Sequence, residues 1–428
     1  MTGRRGSEPK SGRWGLAARG VMFVGTGTAL GQLIAVLSSP VLARLYSPSV
    51  FGAYTTVSSI VTAVSTVATL RMEFAVPLPA ERDLARAVIR ACIQVVIVTS
   101  AVTAVAVAVY LGLTGLGSAV PGEALWCLPI LVLLTGLYTL LSQAALREQA
   151  YSVVAVRALA QNGGAAIAQV GLSFLTRSSV GLLGGLAVGR LLAVVSMARQ
   201  VRPLLRLGDI PARTAFSRYR RFPLVLAPSA AINVFGTVLP VLAIQLWYGA
   251  VDTGNFGVAQ QVVLLPAALV STAVGQVFVG ELAQRLRSDS GSATSFFMRA
   301  SRVLTIPGAA LFVGVMLLAE PVIPLVLGAQ WNLADDYARA MAASAALGVV
   351  VAPLTYVLIA LERTTDVLVL DVLRVLVVGG AGLISFRAGG SGPACVSAML
   401  NTQAVVYVAT WFVCLKAVRR SDASHRPQ

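Results

Sequence analysis

The chain has 428 residues, 57% of them hydrophobic and only 12% charged, against roughly 25% charged in an ordinary soluble domain. That balance does not fit a water-soluble fold, and the net charge of +16 sits in short loops between apolar runs, where it reads as membrane topology and not as nucleic-acid binding. With His425 as the single histidine, and Cys92, Cys127, Cys395 and Cys414 scattered without ligand spacing, no metal site and no hydrolytic triad is expected.

Apolar runs long enough to cross a hydrocarbon layer of roughly 30 Å recur along almost the whole chain. They are continuous and rich in Ala, Val, Leu and Gly, not alternating as in a β-barrel, so the expected class is all-α, a polytopic bundle of about twelve transmembrane helices. To within about four residues, the first half spans Leu16 to Leu42, Phe51 to Pro77, Ala87 to Leu111, Ala124 to Leu146, Val153 to Thr176 and Ser179 to Ala198. The second half spans Phe222 to Trp247, Phe256 to Leu282, Phe296 to Ala319, Ala338 to Leu361, Val367 to Phe386 and Pro393 to Leu415. Arg4-Arg5 is not followed by a compact apolar core and cleavage site, so the first segment reads as a retained helix.

Arginines concentrate on one side. Arg82, Arg86, Arg147, Arg199, Arg202, Arg213, Arg218, Arg220, Arg221 and Arg363 share it with both ends of the chain, whereas the other side holds Arg44, Arg177, Arg339 and Arg387 beside several acids. The positive-inside rule then puts both termini in the cytoplasm. The expected organisation is an N-terminal six-helix lobe (1–200), a basic cytoplasmic linker (201–221), a C-terminal six-helix lobe (222–415) and a cytoplasmic tail (416–428). Pro40-Val41-Leu42-Ala43 recurs as Pro240-Val241-Leu242-Ala243, and Phe51-Gly52 as Phe256-Gly257, at the corresponding turn of each half. Two halves in the same orientation imply an axis along the membrane normal and a substrate pathway between them.

Ionisable groups inside a span are costly and by default face a cavity or a partner. In chain order, Gly27 and Gly31 form a GxxxG that predicts close helix packing. Arg71 and Glu73 lie near the end of the second span, two residues apart, so on a helix each needs another partner. In the fifth span Arg157, Gln161, Ala165 and Gln169 recur at steps of four beside Asn162, a polar stripe suited either to sugar hydroxyls in a wet cavity or to joining helices. Arg190 lies near mid-depth in the sixth span, either paired with a carboxylate or facing a cavity where it attracts an anion. Asn233, Gln245, Gln260, Gln276, Asn401 and Gln403 carry the same two readings in the second half. Glu281 sits where a snorkelling end residue, a partner for Arg71 or a protonation site are all open, and Asp371 and Arg374, at i and i+3, are expected to neutralise each other. With no GxxxxGK[ST] and no long soluble loop, the chain holds neither its own nucleotide site nor a catalytic domain. Transport would draw on an ion gradient, a substrate gradient or a separate ATPase.

The first half carries PVLARLYSPSVFG and then LRMEFAVPLPAERDLA; the second carries RYRRFPLVLAPSAAINVFGTVLP, TGNFGVAQQVVLLPAALVSTAVGQVF, VLGAQWNLADDYA and APLTYVLIALER. In this order, over about residues 16 to 415, they resemble the O-antigen and exopolysaccharide repeat-unit flippases of the multidrug/oligosaccharidyl-lipid/polysaccharide exporter superfamily. The resemblance implies a two-lobed bundle in a bacterial cytoplasmic membrane that exports an undecaprenyl-pyrophosphate-linked oligosaccharide. It further implies proton or sodium coupling with no other cofactor, and as partners membrane lipids, a polysaccharide polymerase and glycosyltransferases. Carried onto this chain it points to Arg44, Arg71, Glu73, Arg147, Asn233, Gly275, Gln276 and Trp331. The chain departs from the pattern at Gln260-Gln261, where an arginine is frequent, and at Arg190, where a neutral polar residue is more usual. Two further readings stay open: a multidrug exporter on the same fold, which would favour acidic cavity residues, and a non-transporting scaffold of a polysaccharide-assembly complex.

Overall fold

The computed structural model describes residues 11–114, 120–148, 151–205, 210–264, 267, 293–361 and 363–424, and these are almost wholly helical. The long helices of the first half are α1 (Ser11–Leu45), α2 (Pro48–Val67), α3 (Arg82–Thr114), α4 (Cys127–Arg147), α5 (Tyr151–Ser173) and α6 (Ser179–Gln200). The second half continues with α7 (Ala227–Tyr248), α8 (250–264), α9 (Ala293–Leu327), α10 (Ala334–Leu354), α11 (Thr364–Arg387) and α12 (Gly392–Ser424). Among the described residues nine helices are long and apolar enough to cross a membrane. Of the other expected spans, α5 is too polar to qualify, the described apolar part of α1 is Leu30–Leu45, and the eighth, Phe256 to Leu282, lies mostly outside the described residues. The chain is a multi-pass membrane protein, as its composition requires.

Local signals explain the helix ends. Pro48 opens α2 in the first turn, where its missing N–H costs nothing. Gly249, at φ 86°, ends α7 in a conformation that a side chain would strain. The second span departs from expectation. It stops at Val67, ten residues before Pro77, because Leu70 and Arg71 turn left-handed at φ 51° and 59° and lead into a 3-10 turn, Met72–Ala75. The turn is tolerated because Arg147, at the end of α4, donates to the Val76 and Pro79 carbonyls at 3.0 and 2.6 Å. Backbone acceptors past the end of the helix thus find a charged donor.

Helices pack within each half: α5 lies between α1 and α6, α4 against α3 and α6, α7 against α11, and α12 against α10 and α11. The halves also meet. One buried cluster, holding Tyr46, Phe51, Leu182, Phe256, Trp331 and Tyr337, mixes residues of both lobes at the end of the bundle that bears the α1–α2 and α7–α8 turns. At the opposite end the lobes keep separate cores, one around Met72, Cys92, Leu140 and Met197, the other around Phe297, Leu354, Leu358 and Cys414. The lobes are therefore sealed together at the turn end. Both PVLA segments sit near that end, with Pro40 inside α1 and Pro240 inside α7.

Glycine sets the spacing of α5 against α6. A Cβ on Gly189 would lie 2.2 Å from the Gln161 carbonyl oxygen, and one on Gly185 would lie 2.6 Å from the Gln169 backbone nitrogen. Helices at near-backbone contact gain dispersion without any hydrophobic drive from water. Gly189→Val should therefore push α6 off α5 and cost about 1–3 kcal/mol as overpacking, read as a lower unfolding temperature of the purified protein in detergent. Gly112→Ala, whose Cβ meets nothing within 4 Å, is the control and should leave that temperature unchanged.

Candidate functional site

Helix α4 places Thr135, Tyr138 and Ser142 three and four residues apart, so one face of the helix carries three hydroxyls. Two arginines from other helices meet that face. Arg190 of α6 donates from Nη1 to Thr135 Oγ1 at 2.7 Å, and Arg157 of α5 donates from Nη1 to Ser142 Oγ, with its guanidinium 4.9 Å from the Tyr138 ring centroid. Tyr54 of α2 and Tyr138 lie within electrostatic reach of Arg190. Arg190 makes no ion pair among the described residues, and its Nε is buried without a hydrogen-bond partner. Its surroundings are neutral hydroxyls, which solvate a cation without cancelling it. A guanidinium held this way keeps a positive charge that none of these neighbours offsets.

The rest of the α5 stripe divides between the two readings. Gln169 joins helices: its Nε2 donates to the Leu182 carbonyl at 3.0 Å, and its own carbonyl accepts from Tyr46 Oη at 2.9 Å. Asn162 also faces a helix, since a Cβ on Gly31 would come 2.8 Å from its Nδ2; Gly31 of the α1 GxxxG packs closely, as expected. Gln161 is different. Its Oε1 is buried without a hydrogen-bond partner, on a residue one helical turn from Arg157 whose backbone packs against Gly189.

In the second half Asn233 of α7 donates to both Asp371 oxygens at 2.9 and 3.0 Å, and Arg374 donates to the Asn233 carbonyl at 2.7 Å while lying 3.6 Å from Asp371. The expected Asp371–Arg374 neutralisation is present, with Asn233 as third member. Asp371 and Arg374 are each 9% exposed, so this is a closed cluster that ties α7 to α11. Asp371→Ala should strand Arg374 and cost roughly 3–5 kcal/mol. Thermal unfolding in detergent should show that loss, and the double change Asp371→Leu with Arg374→Leu should recover most of it.

Arg71 and Glu73 correct the sequence reading. They pair with each other, Nη1 to Oε1 at 3.7 Å, because the backbone is no longer helical there, and buried Glu73 also accepts from Thr69. They are not brought to the arginine pair. Gln276, Glu281 and Gly275 lie outside the described residues. The other motif residues fasten structure. Arg44 donates to the Leu325 carbonyl at 3.0 Å and Trp331 Nε1 to the Ala43 carbonyl at 2.9 Å, both across the lobes. Further bridges run from Thr56 to Gln245 and from Ser39 to Gln261, each 3.0 Å.

Sequence reasoning missed Thr135, Tyr138, Ser142 and Tyr54. A signal for the first three was present: hydroxyls at helical spacing inside the run LVLLTGLYTLLS.

A family model described as "Polysaccharide biosynthesis protein" matches residues 41–335. The fold is similar to that of the lipid II flippase MurJ in an inward closed conformation, with a TM-score of 0.75 at 12% identity over 94% of this chain and 90% of that one. An inward-facing multidrug resistance transporter of the MATE family and MOP superfamily gives 0.62 at 14% identity over 94% and 96% of the two chains. A MOP-superfamily transporter from Pyrococcus furiosus, described as having a binding pocket of reverse polarity, gives 0.57 at 13% identity over 94% of each chain. At such identities the likeness establishes the fold alone, a helical membrane bundle like those of these transporters. No curated protein sequence matches the chain.

Proposed function

Because the chain belongs to the polysaccharide biosynthesis protein family, we propose that it flips an undecaprenyl-pyrophosphate-linked oligosaccharide repeat outward across a bacterial cytoplasmic membrane by alternating access. The observation that carries this reading is Arg190, a cation deep in α6 whose only direct polar contact among the described residues is the neutral Thr135 hydroxyl. A diphosphate supplies the missing negative charge, and Arg157 of α5, set against the same face of α4, adds a second cation for its other phosphoryl group. The polyprenyl chain stays in lipid while the head crosses between the lobes, so no covalent step is needed.

The sealed end fits that cycle. Its inter-lobe contacts are neutral hydrogen bonds and one arginine-to-carbonyl bond, with no inter-lobe ion pair among the described residues. Each such bond is worth about 0.5–3 kcal/mol net, which lets the seam part without stranding a buried charge. The arginine pair also weighs against cationic drugs as cargo, since those call for carboxylates.

The test is deletion of the coding sequence in its host, with surface polysaccharide and lipid-linked repeat both measured. The flippase reading expects loss of the polymer with build-up of the lipid-linked repeat on the inner leaflet. Unchanged polymer overturns it, and altered drug efflux with unchanged polymer selects the multidrug reading instead.

A further inference from the structure

We propose that the end of α12 at the sequence C-terminus holds an anionic phospholipid by its headgroup, at a site separate from the transport path. An open groove of about 420 Å³ there is lined by Phe412, Leu415, Lys416, Arg419 and Arg420, all of α12. These residues fall at i, i+3, i+4, i+7 and i+8, one continuous face of the helix. Along that face the lining changes from apolar to cationic over a single turn.

That change coincides with the expected edge of the hydrocarbon. A layer of roughly 30 Å takes about 20 residues at 1.5 Å each, so α12, which begins at Gly392, leaves it near residues 412 to 415. Phe412 therefore lies at acyl-chain depth, 59% exposed, while Lys416, Arg419 and Arg420 lie at headgroup depth. Trp411 marks the same boundary: its indole packs edge-on to Phe412 at 5.1 Å between centroids and is pinned by Nε1–H donation to Ser301 Oγ at 3.0 Å.

The three cations have no ion pair and no hydrogen bond among the described residues. The nearby acid, Asp422, is engaged elsewhere, accepting the Ala293 and Thr294 backbone N–H groups at 3.0 Å each, which caps α9. Three uncompensated cations around an apolar floor match a phosphodiester with acyl chains attached. A basic pocket at this depth is the usual form of a site for an acidic lipid. The lipid would bridge the leaflet and α12, which packs on both α10 and α11.

The full-length protein, purified in a neutral detergent, is titrated with dioleoylphosphatidylglycerol and, separately, with dioleoylphosphatidylcholine, and bound lipid is counted by native mass spectrometry. Selective retention of the anionic lipid is expected. The triple change Lys416→Gln, Arg419→Gln, Arg420→Gln should weaken it by about fivefold per cation, on the order of 100-fold in total. The matched change Arg213→Gln, Arg218→Gln, Arg221→Gln in the linker removes equal charge and should leave it within twofold. Equal retention of both lipids, or equal loss in the two variants, overturns the proposal. So does competition in which undecaprenyl pyrophosphate displaces the phosphatidylglycerol through the same three residues, which would make the pocket part of the transport path. Because binding is read in the absence of transport, this test can fail while the flippase reading stands, and the reverse.

Discussion

Arg190→Met is expected to lower outward movement of the lipid-linked repeat roughly 10- to 150-fold while leaving the protein as stable as before or more so. The first half follows from removing a charged donor to phosphate, worth about 1.5–3 kcal/mol, at tenfold per 1.4 kcal/mol. The second half follows from what Arg190 does when no substrate is bound. It is a half-buried guanidinium with a buried, unpartnered Nε and a hydroxyl in place of a carboxylate, so the fold bears what desolvation it suffers without an ion pair to offset it. Methionine fills similar volume without that cost. A structural role predicts the opposite pairing, in which unfolding temperature and transport fall together. Arg190→Lys keeps charge but loses the planar fork and should retain intermediate transport. Accumulated lipid-linked repeat in cells and thermal unfolding of purified protein in detergent are the two measurements. Normal export by Arg190→Met sinks the site.

What was legible in the sequence was whatever depends on one helix at a time. Apolar length gives the spans, and counting along the sixth places Arg190 near mid-depth. The Asp371–Arg374 pair was readable for the same reason, since i and i+3 on a helix are neighbours in any context. The third member, Asn233, was not, because α7 and α11 are brought together only by packing. Arg71 and Glu73 failed from the other direction. The spacing argument assumed a helix through Pro77, whereas two left-handed residues and the Arg147 contacts end α2 early. Neither Leu70 nor Arg71 has a turn signature, so no local propensity marks the break. The hydroxyl face of α4 was visible as a spacing but had no reason to matter until α5 and α6 put guanidiniums against it. The repeat rested on two short matches, and the structure adds a parallel: Gly31 of α1 admits Asn162 of α5, as Gly236 of α7 admits Arg374 of α11.

Gly52→Val tests the other requirement of alternating access, a seam that closes. A Cβ on Gly52 would stand 1.8 Å from the Ala250 carbonyl oxygen, and one on Gly254 would stand 1.8 Å from the Pro48 carbonyl oxygen. The two lobes thus meet backbone to backbone, each first turn laid on the other, with Phe51 edge-on to Trp331 at 5.2 Å beside them. Because the obstructing atoms are backbone, no rotamer change accommodates the new methyls, and the lobes must separate. Overpacking of about 1–3 kcal/mol acts on the sealed state alone, since a parted seam has room for the side chain. The population of the sealed state should therefore fall by roughly 5- to 150-fold. Cysteines placed at Thr56 and Gln245, in a background without the native cysteines, should cross-link readily in the parent and at least several-fold more slowly with Gly52→Val. Transport should fall in step, because a lobe pair that cannot close at this end cannot complete a cycle. If cross-linking drops while transport is unchanged, the seam is not part of the cycle. If cross-linking is unchanged, the valine has been absorbed within one lobe and the backbone contact does not hold the two together.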